Sequence, residues 1–93
     1  MTLVIKDPGS RSEFAFDWGD VVRAGQALTV SEWTVEPVEA GGVVVAGAAH
    51  AGLRAAVTLT GGIAGHVYRA TNRVTLNDGQ IDERSLTVRV EER

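Results

Sequence analysis

Thr71–Val90 reads TNRVTLNDGQIDERSLTVRV. Two runs of alternating apolar and polar residues flank Asn77-Asp78-Gly79. Alternation at period 2 marks a strand with one face buried and one wet. Asx-Gly between two such runs is the strongest short-range hairpin signal a sequence carries. In the first run Tyr68, Ala70, Asn72, Val74 and Leu76 share the inner face, with Arg69, Thr71, Arg73 and Thr75 outside. In the second, Leu86, Val88 and Val90 face in and Ser85, Thr87 and Arg89 face out. The polar Asn72 at an inner position predicts a buried amide bonded to backbone or to the Asp82–Ser85 segment.

Working back from the hairpin, the same alternation recurs. Gly61-Gly62-Ile63-Ala64-Gly65 is a tight turn, since it lacks a following Lys and a helix to present amides to phosphate. Leu53–Thr60 puts Leu53, Ala55, Val57 and Leu59 inside. Val43–Ala46 is a continuous apolar run, which suits a strand covered on both sides or one buried at an interface, and Ala48–Gly52 reads as a loop. Ala27–Glu36 has a phase problem, because Leu28 and Val30 share one parity and Trp33 and Val35 the other. Two readings stand: a β-bulge near Ser31-Glu32, or Leu28 and Val30 in the preceding loop. Glu13–Trp18 places Phe14, Phe16 and Trp18 inside, and Gly19–Gln26 connects it onward. Lys6–Ser12 carries Pro-Gly and reads as a loop after a short lead-in.

No segment holds a 3.6-residue period, and turn signals fall every 8–12 residues. The expected fold is all-β, an Ig-like antiparallel β-sandwich of six to seven strands. Tyr68 follows a glycine turn at the start of the penultimate strand, where Ig-like folds place a tyrosine corner; ordinary aromatic core is the plainer reading. Trp33 is the candidate large core residue.

With 93 residues the chain is read as a single domain, residues 1–93. A chain of this size buries roughly 60–65% of its unfolded surface, enough for one core. An apolar content of 44% argues against disorder. The net charge is −3 with no basic block, which argues against a nucleic-acid partner. No run approaches the roughly 18 apolar residues of a membrane helix, and Met1–Ile5 is too short for an export signal. The absence of cysteine fits assembly in a reducing cytoplasm.

No catalytic constellation, cofactor site or metal site is expected. His50 and His66 lie in turn regions without a Ser-His-Asp or His-x-x-x-His pattern. A zinc site needs three or four ligands, and no cysteine is present. Asp17 with Asp20, and Asp78 with Asp82 and Glu83, lack calcium-loop spacing. Such a small domain has little room for a glycosidase cleft. Arg69, Arg73 and Arg89 form an outward basic stripe, read either as a solvated face or as a docking surface for an acidic partner.

The chain resembles the small Ig-like virion proteins of tailed bacteriophages known as fibre–tail adaptors. The resemblance rests on Lys6-Asp7-Pro8 with Phe16-Asp17-Trp18, on Ser31-Glu32-Trp33-Thr34-Val35, and on Leu59–Gly65 leading to Tyr68. Its most specific part is Thr71-Asn72-Arg73-Val74-Thr75 followed by Asp82-Glu83-Arg84-Ser85-Leu86. Glu39–Ala51 departs from the family pattern, being rich in Gly, Ala and Val. The resemblance implies a virion structural protein of the tail or head–tail region. Its expected partners are tail, connector or fibre subunits, its expected state a homo-oligomeric ring, and it would be made in the host cytoplasm. The alternatives are a free-standing Ig-like module for a host surface or carbohydrate, or a capsid decoration protein. Nothing in a bare hairpin requires Asn-Arg on one strand and Asp-Glu-Arg on the next. That excess makes Arg69, Arg73, Asp82, Glu83, Arg84 and Arg89 the expected interaction residues.

Overall fold

The computed structural model describes residues 2–20 and 23–92. Val21 and Val22 of the expected Gly19–Gln26 connection lie outside the described residues. The strands are β1 (Thr2–Lys6), β2 (Ser12–Asp17), β3 (Leu28–Glu36), β4 (Val44–Ala51), β5 (Arg54–Thr60), β6 (Val67–Leu76) and β7 (Ile81–Val90). A short 3-10 turn, Trp18–Asp20, follows β2. One sheet runs β1-β7-β6-β3 and the other β2-β5-β4. These are the C-F-G and B-E-D neighbours of an Ig-like sandwich. The expected all-antiparallel pairing holds except at β1, which runs parallel to β7.

The terminal hairpin forms as its letters require. Leu76 N–H donates to Gln80 O at 2.8 Å and Gly79 N–H to Leu76 O at 2.9 Å. These bonds close a three-residue loop in which Gly79 takes φ 89°, a conformation that costs glycine little. Asn77 then reaches across: its amide donates to Gly25 O and accepts from Ala27 N–H. Tyr68, Ala70, Asn72, Val74 and Leu76 are all buried, as their parity requires. Ala55, Val57 and Leu59 of β5 face them from the other sheet.

Four expectations change. The bulge in β3 falls at Thr29, between Leu28 and Val30. Leu28 therefore turns into the core while Val30 stays 43% exposed. The large core residue is Trp18, 1% exposed; Trp33 is only partly buried and stacks on Phe16 at 5.6 Å. Val43 is buried, but β4 continues through the expected loop to Ala51 and is exposed at every position. β4 is an edge strand paired with β5, and among the described residues nothing covers its inner side. His50 accordingly sits on this strand rather than in a turn.

The fourth change is at the N-terminus. The expected lead-in is strand β1, and Lys6 is its buried last residue. Its ammonium donates to Asp7 O, Ser10 O and Gly61 O at 2.9, 2.7 and 2.7 Å. A buried charge persists only when its donors are used. Three carbonyls meet that condition and tie the first loop to the glycine turn after β5. Gly61 itself takes φ 76°, and a Cβ there would sit 2.5 Å from Gly42 O. Both backbone angle and space exclude a side chain.

Lys6→Met keeps volume and removes all three bonds. It is expected to lower unfolding stability by about 2–3 kcal/mol, read in urea with an unchanged denaturant slope. A loss below about 0.5 kcal/mol would show that the ammonium does not hold the turn.

Candidate interaction surfaces

Three side-chain networks use the polar letters of the hairpin. The first surrounds Tyr68. Ile63 N–H donates to its hydroxyl oxygen at 3.2 Å, which is the upstream backbone bond of a tyrosine corner. The hydroxyl itself donates to the Glu39 carboxylate. His66 Nδ1 lies 2.8 Å from the same carboxylate oxygen. The Tyr68 hydrogen bond, then that of His66, holds the Glu39 carboxyl below the usual carboxylate range. Burial, then the Glu39 bond, pushes the Tyr68 phenol up.

The second network is built on Asn72, fully buried on β6. Its Oδ1 accepts from Trp18 Nε1 at 3.0 Å. Its Nδ2 donates to Ser31 Oγ at 2.9 Å and to Glu32 O at 3.1 Å. The expected buried amide and backbone bond are present; the partners are Trp18 and Ser31, however, and not the Asp82–Ser85 segment. Arg84 stands opposite Asn72 in register. Its guanidinium lies 4.5 Å from the Trp18 ring centroid and 5.8 Å from that of Phe16. It also donates to Asp17 O and Asp20 Oδ1, each at 3.2 Å. Arginine suits this place because its plane stacks on a ring while its edge donates.

The third is the outer face of the β1-β7-β6-β3 sheet. Arg73 lies in register between Glu32 and Glu83, with its Nε 4.0 Å from Glu83. Arg69 lies between Glu36 and Thr87. Arg89 pairs with Glu91 at 2.7 Å. Thr71 and Ser85 share a hydroxyl hydrogen bond at 2.9 Å. The basic stripe is thus interleaved with acids, and exposed pairs of this kind contribute roughly 0–1 kcal/mol each. Together they form a patterned charge display on this face. Of the six expected interaction residues, Arg69, Arg73, Glu83 and Arg89 share this face. Asp82 and Arg84 have the opposite parity; Asp82 Oδ1 accepts from Glu83 N–H.

Sequence reading missed an apolar end to the same face. Leu3, Ile5 and Val67 are 57, 44 and 53% exposed. Ile5 is opposite Arg89, and Arg89 is opposite Val67. The signal was Leu3 and Ile5 at alternate positions, but without knowing that β1 pairs with β7 their neighbours were not legible. No group of three or more His, Cys, Asp or Glu able to hold a metal occurs among the described residues. No helix among them is long and apolar enough to cross a membrane.

Residues 6–89 match the family model described as podophage GP4 fiber-tail adaptor protein gp77. No curated protein matches the chain.

Asn72→Ala is expected to cost about 2–4 kcal/mol, since Trp18 and two β3 partners lose their bonds. Arg84→Ala should cost less, about 0.5–2 kcal/mol. Chemical denaturation followed by tryptophan fluorescence gives the order; equal or reversed losses would show that Asn72 is not the central group. For Glu39 the folded carboxyl lies below its unfolded value near 4.5. Its contribution is therefore present above that range and lost as pH falls through the lowered value. The gap in stability between wild type and Tyr68→Phe should narrow from about pH 6 to about pH 3. A gap independent of pH would contradict the coupling.

Proposed function

The chain belongs to the podophage fibre–tail adaptor family, and we propose that it serves in the virion as a non-catalytic structural link between fibre and tail proteins. The observation that carries this reading is the match over residues 6–89 of a 93-residue chain. A match of that extent takes in β2 to β6 entire, Lys6 of β1 and all of β7 but Val90. The finer reading is a protein made in the host cytoplasm and assembled as a symmetric ring in the tail or head–tail region. It contacts tail, connector or fibre subunits through the outer face that carries Arg69, Arg73, Glu83 and Arg89.

The surface chemistry supports a binding role of this kind. The display alternates charge sign along the rows of β3, β6 and β7 and ends in apolar Leu3, Ile5 and Val67. An apolar patch rimmed by charge is the usual composition of a protein contact. A carbohydrate module would offer an aromatic ring for stacking. Here Phe16, Trp18 and Tyr68 are buried, and Phe14 and Trp33 are packed against the core.

The test is reconstitution with the tail and fibre proteins of the same phage. The triple variant Arg69→Glu, Arg73→Glu, Arg89→Glu should weaken co-assembly about tenfold or more while leaving the melting transition near that of wild type. Absence of the chain from purified virions, or co-assembly indifferent to the variant, would overturn the adaptor reading or the assigned face respectively.

A further inference from the structure

We infer that the open edge of β3 takes up an extended segment of another virion protein, one with Lys or Arg opposite Glu32 and Glu36 and apolar side chains beside Trp33 and Val35. That the segment belongs to the virion rests on the adaptor reading; its chemistry follows from the edge itself. β3 ends the four-stranded sheet and pairs with β6 alone. Past the bulge at Thr29 it runs in unbroken register from Val30 to Glu36, so the edge offers a regular row of backbone donors and acceptors. Its inward residues Ser31, Trp33 and Val35 are only half-buried, whereas Asn72 and Ala70, opposite Trp33 and Val35, are fully buried. β4 is the strand of the facing sheet that approaches β3. Its Ala48 and His50 have inward parity and yet lie exposed. Trp33 Nε1 is cut off from water and has no hydrogen-bond partner among the described residues, an unusual state for a buried donor. The sandwich is unfinished along this side, and one added strand beside β3 completes it.

Charge identifies the occupant. Glu32, Thr34 and Glu36 point outward and are exposed. They end the cross-strand rows Glu83-Arg73-Glu32, Ser85-Thr71-Thr34 and Thr87-Arg69-Glu36. Arg73 pairs with Glu83, and neither Glu32 nor Glu36 has an ion pair among the described residues. A base on the next strand continues the alternation of sign and gives each carboxylate a cross-strand partner. No edge strand of this chain supplies that base. β1 exposes Leu3 and Ile5 and buries Lys6; β2 presents Glu13 and Asp17; β4 has no Lys or Arg. Paired with itself, β3 sets carboxylate near carboxylate, which opposes a second copy. The occupant is therefore a foreign strand whose outward residues alternate base, polar, base. In such strand addition the backbone bonds give affinity and the alternate side chains give specificity. The added strand also widens the outer face that carries Arg69, Arg73, Glu83 and Arg89.

The probe is the capped peptide Thr-Lys-Val-Thr-Val-Lys-Thr, which reads the same in both directions and so fits β3 in either orientation. The control peptide has Glu in place of both Lys. Each is titrated to about 10 mM into the isolated full chain, and backbone amide and indole N–H resonances are followed. The Lys peptide is expected to bind with a dissociation constant of about 1 mM. It should shift the amides of Ser31–Glu36 and the indole N–H of Trp33 and leave those of β1 unmoved. The Glu peptide should bind about tenfold more weakly. In the double variant Glu32→Lys, Glu36→Lys the preference should reverse, with an unchanged circular dichroism spectrum, since both positions are exposed. A wild-type chain that binds neither peptide, equal binding of the two, or shifts confined to another edge would each overturn the inference. Shifts at β3 that grow with the concentration of the chain alone would assign the edge to a second copy and overturn it as well. None of these results bears on the presence of the protein in virions, so the adaptor reading is tested separately.

Discussion

A buried amide must bond all its polar atoms or lose them at a cost of about 1–3 kcal/mol apiece. Asn72 meets that demand with groups from three segments. Trp18 arrives from the end of β2, Ser31 and Glu32 from β3, and Asn72 itself stands on β6. The two sheets are thereby held at one relative position. Hydrophobic contact is non-directional and tolerates sliding; hydrogen bonds of defined length do not. Trp18 can be buried only if its ring N–H finds an acceptor. Arg84 closes the other side of that ring, and Asp17 and Asp20 hold the guanidinium.

Lys6 does at the opposite end of the sandwich what Asn72 does within it. The ammonium gathers carbonyls from the first loop and the glycine turn, while Glu91 N–H donates to Lys6 O. Burial pushes this amine below its ordinary value, and the Asp7 carboxylate opposes the push. Three oxygen acceptors favour the charged form as well. The letters that carry the family resemblance therefore have internal work. Lys6, Gly61, Asn72 and Arg84 are placed by the fold's own polar accounting. The residues left over are the outward ones, Arg69, Arg73, Glu83 and Arg89, with apolar Leu3, Ile5 and Val67 beside them. The proposed contact with other proteins falls to this remainder.

The division of labour also explains the shape of the surface. The four-stranded sheet is covered on its inner side by a sheet of three. Its long β6-β7 hairpin is secured at the tip by Asn77 and Asp78, which bond the segment around Gly25 to Ala27 and Gln26. β4 pairs with β5 and even its inward-parity residues remain wet, whereas the edge strands β2 and β3 bury Phe16 and Leu28.

Local chemistry determined the strands that alternate, the inward parity of β5, β6 and β7, and the three-residue hairpin. Period-2 patterning and the demand for φ > 0 at Gly79 are properties of neighbouring residues, and the chain alone states them. The position of Tyr68 after a glycine turn was legible for the same reason. Tertiary structure decided what depends on distant partners. Trp18 meets Asn72 across 54 positions, Lys6 meets Gly61 across 55, and Arg84 meets Asp17 across 67. No local pattern marks Lys6 as buried, because lysine is ordinarily a surface residue and only three converging carbonyls reverse that. Nor does the apolar run at Val43 reveal whether it is enclosed. Burial of a strand's inner side is set by what the facing sheet lays over it, and among the described residues nothing covers Val44–Ala51 of β4.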